Sequence, residues 1–136
     1  MTAPATRHVF VYGTLRCGEV RDITRLCPAR QFIGMGSVAG VLYDLGPYPG
    51  LRLGGAGRVT GEVYAIPAEL ERLLDEIEEI WPQQTGEYSK REVTVQMDGV
   101  PAAAGPVCLV YEINASLLAG CPVITSGDWR LHRLAS

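Results

Sequence analysis

The sequence has few metal-ligating and disulfide-forming residues. It contains four cysteines and two histidines in 136 residues. The cysteines are too sparse for a small disulfide scaffold and form no Cys-x-x-Cys pair, so free and mostly buried thiols are expected at Cys17, Cys27, Cys108 and Cys121. His8 and His132 stand near opposite ends of the chain. No metal site is therefore predicted.

The chain also lacks a basic stripe and a long hydrophobic run. Its formal net charge is −3, and its Lys and Arg residues are scattered, which argues against nucleic acid as a partner. The longest weakly polar stretch, residues 100–111, is too short to span a bilayer. The first eight residues lack the apolar core of a signal peptide. A cytoplasmic protein without a membrane segment is expected.

The composition is that of a globular domain. Apolar residues make up 47% of the chain and charged residues 20%, enough for both a core and a solvated surface. We predict one domain over residues 1–136. Sixteen glycines and nine prolines fit many turns between short strands, without the excess that is typical of low-complexity disorder.

The hydrophobic pattern predicts mostly strands. Alternation and β-branched residues indicate strands at residues 8–12, 36–45, 57–66, 92–97 and 107–113. A short amphipathic helix is predicted after residue 17, ending before Pro28, and a stronger helix from Pro67 to about Ile80. Strands before and after one strong helix favour an α+β domain on a mixed, largely antiparallel sheet that curls into a barrel.

The turn after the first predicted strand is a candidate binding loop. Residues 9–16 read Val-Phe-Val-Tyr-Gly-Thr-Leu-Arg, so a buried strand runs directly into a polar turn at Gly13. Successive free N–H groups in such a turn can hold a carboxylate or a developing oxyanion, and Arg16 adds a positive charge. Taken alone, a Tyr-Gly-Thr is more often an ordinary strand-ending turn.

The strong helix ends in a run of carboxylates. Asp75 and Glu79 fall on the side opposite the apolar stripe, whereas Glu76 and Glu78 flank the stripe. Partial desolvation and neighbouring negative charge would raise the pKa of either flanking glutamate, which suits a general base near neutral pH. The helical pattern does not choose between Glu76 and Glu78, and a solvated glutamate is the commoner situation.

The chain contains, in this order, residues 9–16 above, the Gly-Glu-Val-Tyr-Ala-Ile of residues 61–66 and the Leu-Leu-Asp-Glu-Ile-Glu of residues 73–78, followed by Tyr88 and Arg91. Together these segments resemble the gamma-glutamylcyclotransferase-like family, and most resemble its gamma-glutamylamine cyclotransferase branch. The resemblance covers residues 8–113. It implies a small mixed β-barrel with flanking helices.

The resemblance also implies an activity, the release of 5-oxoproline from a γ-glutamyl group attached to an amine or amino acid. By position it makes Glu78 the catalytic glutamate, and it assigns substrate binding to Tyr12, Gly13, Thr14 and Leu15. Many members have glycine after the catalytic glutamate, whereas this chain has Glu79. That extra charge would raise the pKa of Glu78 or alter the accepted amine.

This reaction needs no metal or cofactor, because a γ-glutamyl substrate carries its own nucleophile, the α-amine. We expect Glu78 to take a proton from the α-ammonium and to deliver it to the departing amine, while N–H groups of residues 13–15 hold substrate oxygens. Arg16 is a candidate for binding the α-carboxylate. Tyrosines are candidates for lining the pocket, although core packing explains each equally well: Tyr12, Tyr43, Tyr88 and Tyr111.

A second hypothesis is a non-catalytic module of the same fold that captures a small carboxylate-bearing metabolite. Such a module would not need Glu78, and so this residue distinguishes the two hypotheses. A structural or interaction domain is a third hypothesis. The sequence predicts neither the leaving amine nor the oligomeric state.

Overall fold

The computed structural model describes residues 6–13, 31–46, 48–67, 88–99 and 105–135. Its strands are β1 (Thr6–Val11), β2 (Gln31–Asp44), β3 (Pro49–Pro67), β4 (Tyr88–Thr94), β5 (Gln96–Met97) and β6 (Val107–Ile113). A 3₁₀ turn covers Ala115–Leu117, and Trp129–Ala135 forms a helix, here the C-terminal helix. The strands form one six-stranded sheet in the order β4-β6-β1-β3-β2-β5.

The first strand lies inside the sheet, between β3 and β6. It pairs antiparallel with β3 over its whole length and parallel with β6 at Val9 and Leu109. The other ladders are antiparallel. The predicted α+β class with a mixed, largely antiparallel sheet is therefore confirmed. The apolar side chains of β1 explain its inner position in the sheet. A strand that pairs with a neighbour on each side is shielded from water, and apolar residues favour such a place.

Two hydrophobic clusters form on opposite sides of the sheet, as strand alternation requires. The first consists of Val9, Val11, Tyr64, Ile66, Tyr88, Leu109, Tyr111 and Ile113. The second consists of Phe10, Tyr12, Val38, Leu42, Leu51, Val59, Val63, Val95, Cys108, Val110, Ile124 and Trp129. Burying each large apolar side chain contributes roughly 1.5–3 kcal/mol. Successive residues of β1 supply both clusters, so this strand is fixed from both sides.

The long β2–β3 hairpin bends at a bulge. Its register shifts between Ala39 and Gly40, which pair with Arg58 and Leu53 respectively, so residues 54–57 are left outside the ladder. Gly54 and Gly55 have φ values of +101° and +86°, which side chains rarely allow. The glycine-rich stretch therefore forms an exposed bulge inside a strand, and the hairpin changes direction there.

The two edge strands of the sheet follow each other in the chain. Only Val95 separates β4 from β5, and its N–H donates to the carbonyl of Pro106 at 2.9 Å. No ladder joins β4 to β5 within the described ranges. The sheet is thus not closed by hydrogen bonds, and the predicted barrel is not confirmed.

The segment before the C-terminal helix packs across β2 and β3. Ile124 N–H donates to Leu42 at 2.7 Å, Asp44 N–H donates to Pro122 at 2.9 Å, and Thr60 N–H donates to Gly127 at 2.8 Å. Trp129, which begins the helix, is only 5% exposed in the second cluster. The helix is therefore anchored at its first residue. In the part of the chain that is described, no helix has both the length and the apolar character needed to cross a bilayer.

The predicted elements agree with the structure in part. The β6 bounds match the prediction, whereas β2 and β3 begin earlier, at Gln31 and Pro49. Pro67 was expected to open a helix, but it is the last residue of β3, paired with Thr6. Residues 14–30 and 68–87, with both predicted helices, lie outside the described residues.

Candidate functional site

The candidate site is built around Tyr12 and Gly13, here called the Gly13 turn, directly after β1. β1 and β6 are parallel, so their carboxyl ends lie side by side at the same end of the sheet. β1 ends at Val11 and β6 ends at Ile113. β4 begins at this end, since Tyr88 pairs with Ile113. The predicted binding turn and Tyr88 are therefore on neighbouring strand ends.

Pro49 packs directly on Gly13. A Cβ atom added to Gly13 would lie 2.6 Å from Cγ of Pro49 and 2.9 Å from its Cδ. A proline ring cannot rotate away as a flexible side chain can, so any side chain at position 13 would displace the turn or the ring. Glycine is needed at this position because of the close approach of β3, which brings the start of that strand to the predicted binding loop.

Tyr88 is linked to Gly13 through the same proline. Its hydroxyl donates to the carbonyl oxygen of Pro49 at 3.3 Å. Tyr48, which is half-buried, packs its ring at 6.5 Å from the ring of Tyr88. Gly13, Tyr48, Pro49 and Tyr88 thus form one contiguous group. The structure brings together Gly13 and Tyr88 from the sequence-predicted set.

The Tyr12 side chain points the other way, into the second cluster. Its hydroxyl donates to the carbonyl of Tyr111 at 2.6 Å, and the residue is only 7% exposed. Its ring lies 6.5 Å from that of Phe10. The phenol therefore ties the end of β1 to β6, which fixes the position of the Gly13 turn. Of the other tyrosines considered, Tyr43 is half-buried and Tyr111 belongs to the first cluster.

The remaining predicted site residues lie outside the described residues. Thr14, Leu15 and Arg16 follow the Gly13 turn, and Glu78 belongs to the predicted helix. Their assigned roles stay predictions.

Glu62 is a buried carboxylate that the pattern of the sequence did not single out. It is 3% exposed, accepts a 2.8 Å hydrogen bond from the Tyr64 hydroxyl, and lies 3.8 Å from the guanidinium of Arg130. It pairs with Val11, next to the Gly13 turn. The sequence pattern of this strand is dominated by its small apolar face, which carries Val63. Alternation places Glu62 on the opposite face with Tyr64.

A second buried carboxylate, Glu112, is held by two arginines. One oxygen accepts from Arg91 Nε at 3.2 Å, and the other accepts from the Leu53 N–H at 2.9 Å. The guanidinium of Arg52 lies 3.7 Å from Glu112 and donates to the carbonyl of Ile113 at 2.8 Å. Glu112 is 7% exposed, so its charge is compensated by these partners. The cluster joins the middle of β4 and the end of β6 to β3.

A third charged contact connects the C-terminal helix to the end of β2. Nε2 of His132 lies 2.8 Å from Oδ2 of Asp44, whose other oxygen accepts the Gly46 N–H at 2.7 Å. The hydrogen bond from His132, supported by that from Gly46, lowers the pKa of the Asp44 carboxyl below its ordinary value. Asp44 is therefore an ionised acceptor at neutral pH.

Two cysteines, Cys108 and Cys121, fall within the described residues. Burial raises the pKa of the Cys108 thiol to about 12, so it is a protonated, unreactive group in the core. Cys121 is also a free thiol. Within the described ranges, no group of three His, Cys, Asp or Glu side chains is arranged to hold a metal ion.

The arrangement around Gly13 suits recognition of a small polar molecule by main-chain groups. The turn follows the carboxyl end of β1 and is backed by Pro49, a rigid proline that follows Tyr48 in the chain and accepts the hydroxyl of Tyr88. Backbone N–H groups held in this way bind carboxylates and oxyanions without reorganisation.

Comparison with known proteins gives consistent matches. The family model described as "Gamma-glutamyl cyclotransferase, AIG2-like" matches residues 9–131. A Bos taurus protein named "Gamma-glutamylaminecyclotransferase" is 35% identical over 116 residues, which cover 76% of this chain and 63% of that protein. The chain therefore spans less than two thirds of the bovine relative.

A bacterial relative matches over more of its length. The Vibrio cholerae protein named "Putative gamma-glutamylcyclotransferase" is 40% identical over 124 residues, 89% of this chain and 93% of that protein. Among solved structures, the Mus musculus AIG2-like protein superposes with a TM-score of 0.69 at 29% identity, covering 86% of this chain and 84% of that one.

Proposed function

Because the chain belongs to the gamma-glutamyl cyclotransferase, AIG2-like family, we propose that it releases 5-oxoproline and a free amine or amino acid from a γ-glutamyl substrate. The observation that carries the proposal is the Gly13 turn, which Pro49 packs against and Tyr88 flanks at the sheet edge. By resemblance this turn corresponds to the family's binding segment, and it follows β1 where the carboxyl end of β6 and the start of β4 meet.

The chemistry requires positioning more than a strong nucleophile. The substrate α-amine attacks the γ-carbonyl carbon, a C–N bond forms to close the five-membered ring, and the bond to the departing amine breaks. The attack is intramolecular, and holding both ends of the γ-glutamyl group keeps the reacting atoms in position. Such positioning can lower the activation barrier by roughly 7–11 kcal/mol. N–H groups of Gly13, Thr14 and Leu15 hold the oxygen that becomes negative.

Proton transfer is the second requirement. Glu78 takes a proton from the α-ammonium, so that the amine becomes nucleophilic, and later gives a proton to the departing nitrogen. Arg16 binds the substrate α-carboxylate. Tyr88 lines the pocket with its ring, since its hydroxyl already donates to Pro49.

The activity is tested by incubating the protein with a panel of γ-glutamyl amines and γ-glutamyl amino acids and measuring 5-oxoproline by chromatography. Turnover of at least one member is expected. A folded protein that turns over none would contradict the enzyme proposal. If the same folded protein binds a panel member without turnover, and Glu78→Ala binds it equally well, the non-catalytic binding module is the better account.

A further inference from the structure

The side chains of His132 and Asp44 link the C-terminal helix to the end of β2. His132 is the fourth residue of that helix, and its Nε2 lies 2.8 Å from Oδ2 of Asp44, the last residue of β2. The side chains of His132 and Asp44 are 34% and 25% exposed. The family match ends at residue 131, so His132 is not part of the matched segment.

Asp44 controls the shape of the turn between β2 and β3, here called the Asp44 turn (residues 44–46 and 48). Its free carboxylate oxygen accepts the Gly46 N–H at 2.7 Å, and the Leu45 N–H donates to Tyr48 at 3.1 Å. Gly46 has a φ of +102°, a conformation that glycine adopts without steric cost. The carboxylate fixes the turn from one side, and His132 fixes the carboxylate.

The Asp44 turn leads directly into the candidate site. Tyr48 packs against Tyr88, and the next residue, Pro49, lies on Gly13 and accepts the Tyr88 hydroxyl. A shift of the turn would therefore move Pro49 relative to Gly13. This gives a continuous path of contacts from His132 to the main chain of the Gly13 turn.

His132 is itself firmly placed. Its N–H donates to the Asp128 carbonyl at 3.0 Å, and the Asp128 carboxylate accepts the Leu131 N–H at 3.2 Å. Its ring lies 6.0 Å from that of buried Trp129. Because the helix is anchored in the core, the imidazole is a fixed point against which Asp44 can be held.

We propose that His132 is a positioning residue of the candidate site, holding the Asp44 turn, and with it Pro49, against Gly13. The catalytic consequence rests on the proposed cyclotransferase function, whereas the positioning itself does not. The positioning role of His132 depends on an N–H donor at Nε2. Imidazole has this donor in the neutral tautomer that carries its proton on Nε2, and also when the ring is protonated. A glutamine amide at position 132 provides a donor at a similar reach.

The positioning is tested without substrate, by NMR of the backbone amides. His132→Ala should speed hydrogen exchange of the Gly46 amide by about 10-fold or more, because the Asp44 carboxylate that accepts this N–H loses the partner that holds it. It should also shift the Gly13 resonance. His132→Gln should restore both. Leu131→Ala, at an exposed neighbour in the same helix, is the matched control and should change neither. Unchanged Gly13 and Gly46 amides in His132→Ala would overturn the proposal.

The catalytic consequence is read from kinetics on the best panel substrate, with each variant well below its unfolding temperature. His132→Ala should lower kcat/KM by about 10- to 100-fold, because small displacements of positioning groups have effects of this size. His132→Gln should recover most of the loss. A purely structural role would lower thermal stability but leave kcat/KM per folded molecule unchanged, and that result would overturn the proposal.

The two proposals fail in different ways. A wild-type protein without turnover contradicts the cyclotransferase function, while the Gly13 and Gly46 amides still decide whether His132 positions the turn. If the wild-type protein has turnover but His132→Ala leaves the Gly46 amide exchange and the Gly13 resonance unchanged, only the positioning role is contradicted.

Discussion

The hydroxyl of Tyr12 donates a 2.6 Å hydrogen bond to the main-chain carbonyl of Tyr111, 99 positions away in the chain. Both residues are buried, so neither polar group has water as a ready alternative partner. Tyr12→Phe should therefore lower the free energy of unfolding by about 1–3 kcal/mol. Urea denaturation measures the loss. Wild-type stability in this variant would mean that the hydrogen bond does not hold β1 to β6.

Gly13→Ala should damage the site through contact with Pro49. The added Cβ would lie 2.6 Å from Cγ of that proline, so the turn must move. A displacement near 1 Å can reduce kcat/KM by about 100-fold. The double variant Gly13→Ala/Pro49→Ala removes the obstructing ring atoms and should recover part of the activity. A double variant no better than Gly13→Ala alone would show that the proline is not the obstacle.

Asp44 should make stability depend on pH in the acid range. Its folded-state pKa lies below the ordinary value of 3.8, chiefly because of the hydrogen bond from His132. The ionised form is thus favoured in the native protein. The resulting stability is present above about pH 3.8 and is lost as the pH falls through the folded-state pKa.

This dependence can be measured as the urea midpoint from pH 7 to pH 3 for wild type and Asp44→Asn. The difference in urea midpoint between wild type and Asp44→Asn should shrink towards pH 3. Protonation of Asp44 then removes the negative charge that the variant lacks at every pH. A difference in urea midpoint that stays constant from pH 7 to pH 3 would contradict the lowered folded-state pKa of Asp44.

Cys108 should resist alkylation in the native state. With its pKa raised to about 12, roughly a thousandth of this thiol is ionised at pH 9, and the side chain is fully buried. Iodoacetamide labelling followed by peptide mass spectrometry should find Cys108 unmodified in the native protein and modified in urea. Cys121, which is only partly buried, is the internal control. Equal native labelling of the two would be inconsistent with the buried position.

The bounds of a strand could be predicted from the sequence where a run of apolar residues coincides with the buried part of the sheet. The run Val107 to Ile113 is apolar except for Glu112, and its bounds were predicted correctly. The start of β3 was not, because Pro49, Gly50 and the glycines of residues 54–57 have the composition of a loop. Pairing with β2 overrides that local preference, and the glycines are accommodated as a bulge.

The sequence predicted Tyr12, Gly13 and Tyr88 of the candidate site, but not the contacts that join them to the rest of the fold. Tyr12 and Gly13 stand out because a buried strand meets a glycine. The contact of Pro49 with Gly13 and that of His132 with Asp44 join residues 36 and 88 positions apart, and no local periodicity reports such pairs. Glu62 could have been found by examining both faces of its strand, because a carboxylate beside Tyr64 on an apolar strand needs a partner.

We propose Glu78 as the acid–base group of a cyclisation centred on the Gly13 turn. Its most direct test is the rate of 5-oxoproline release by Glu78→Gln, with Asp75→Asn as a matched neutralisation on the opposite side of the predicted helix and Glu76→Gln as the rival position. Glu78→Gln should lose about 10²- to 10⁴-fold in kcat, whereas both other variants keep wild-type turnover. Wild-type turnover in Glu78→Gln, or a comparable loss confined to Glu76→Gln, would contradict this account.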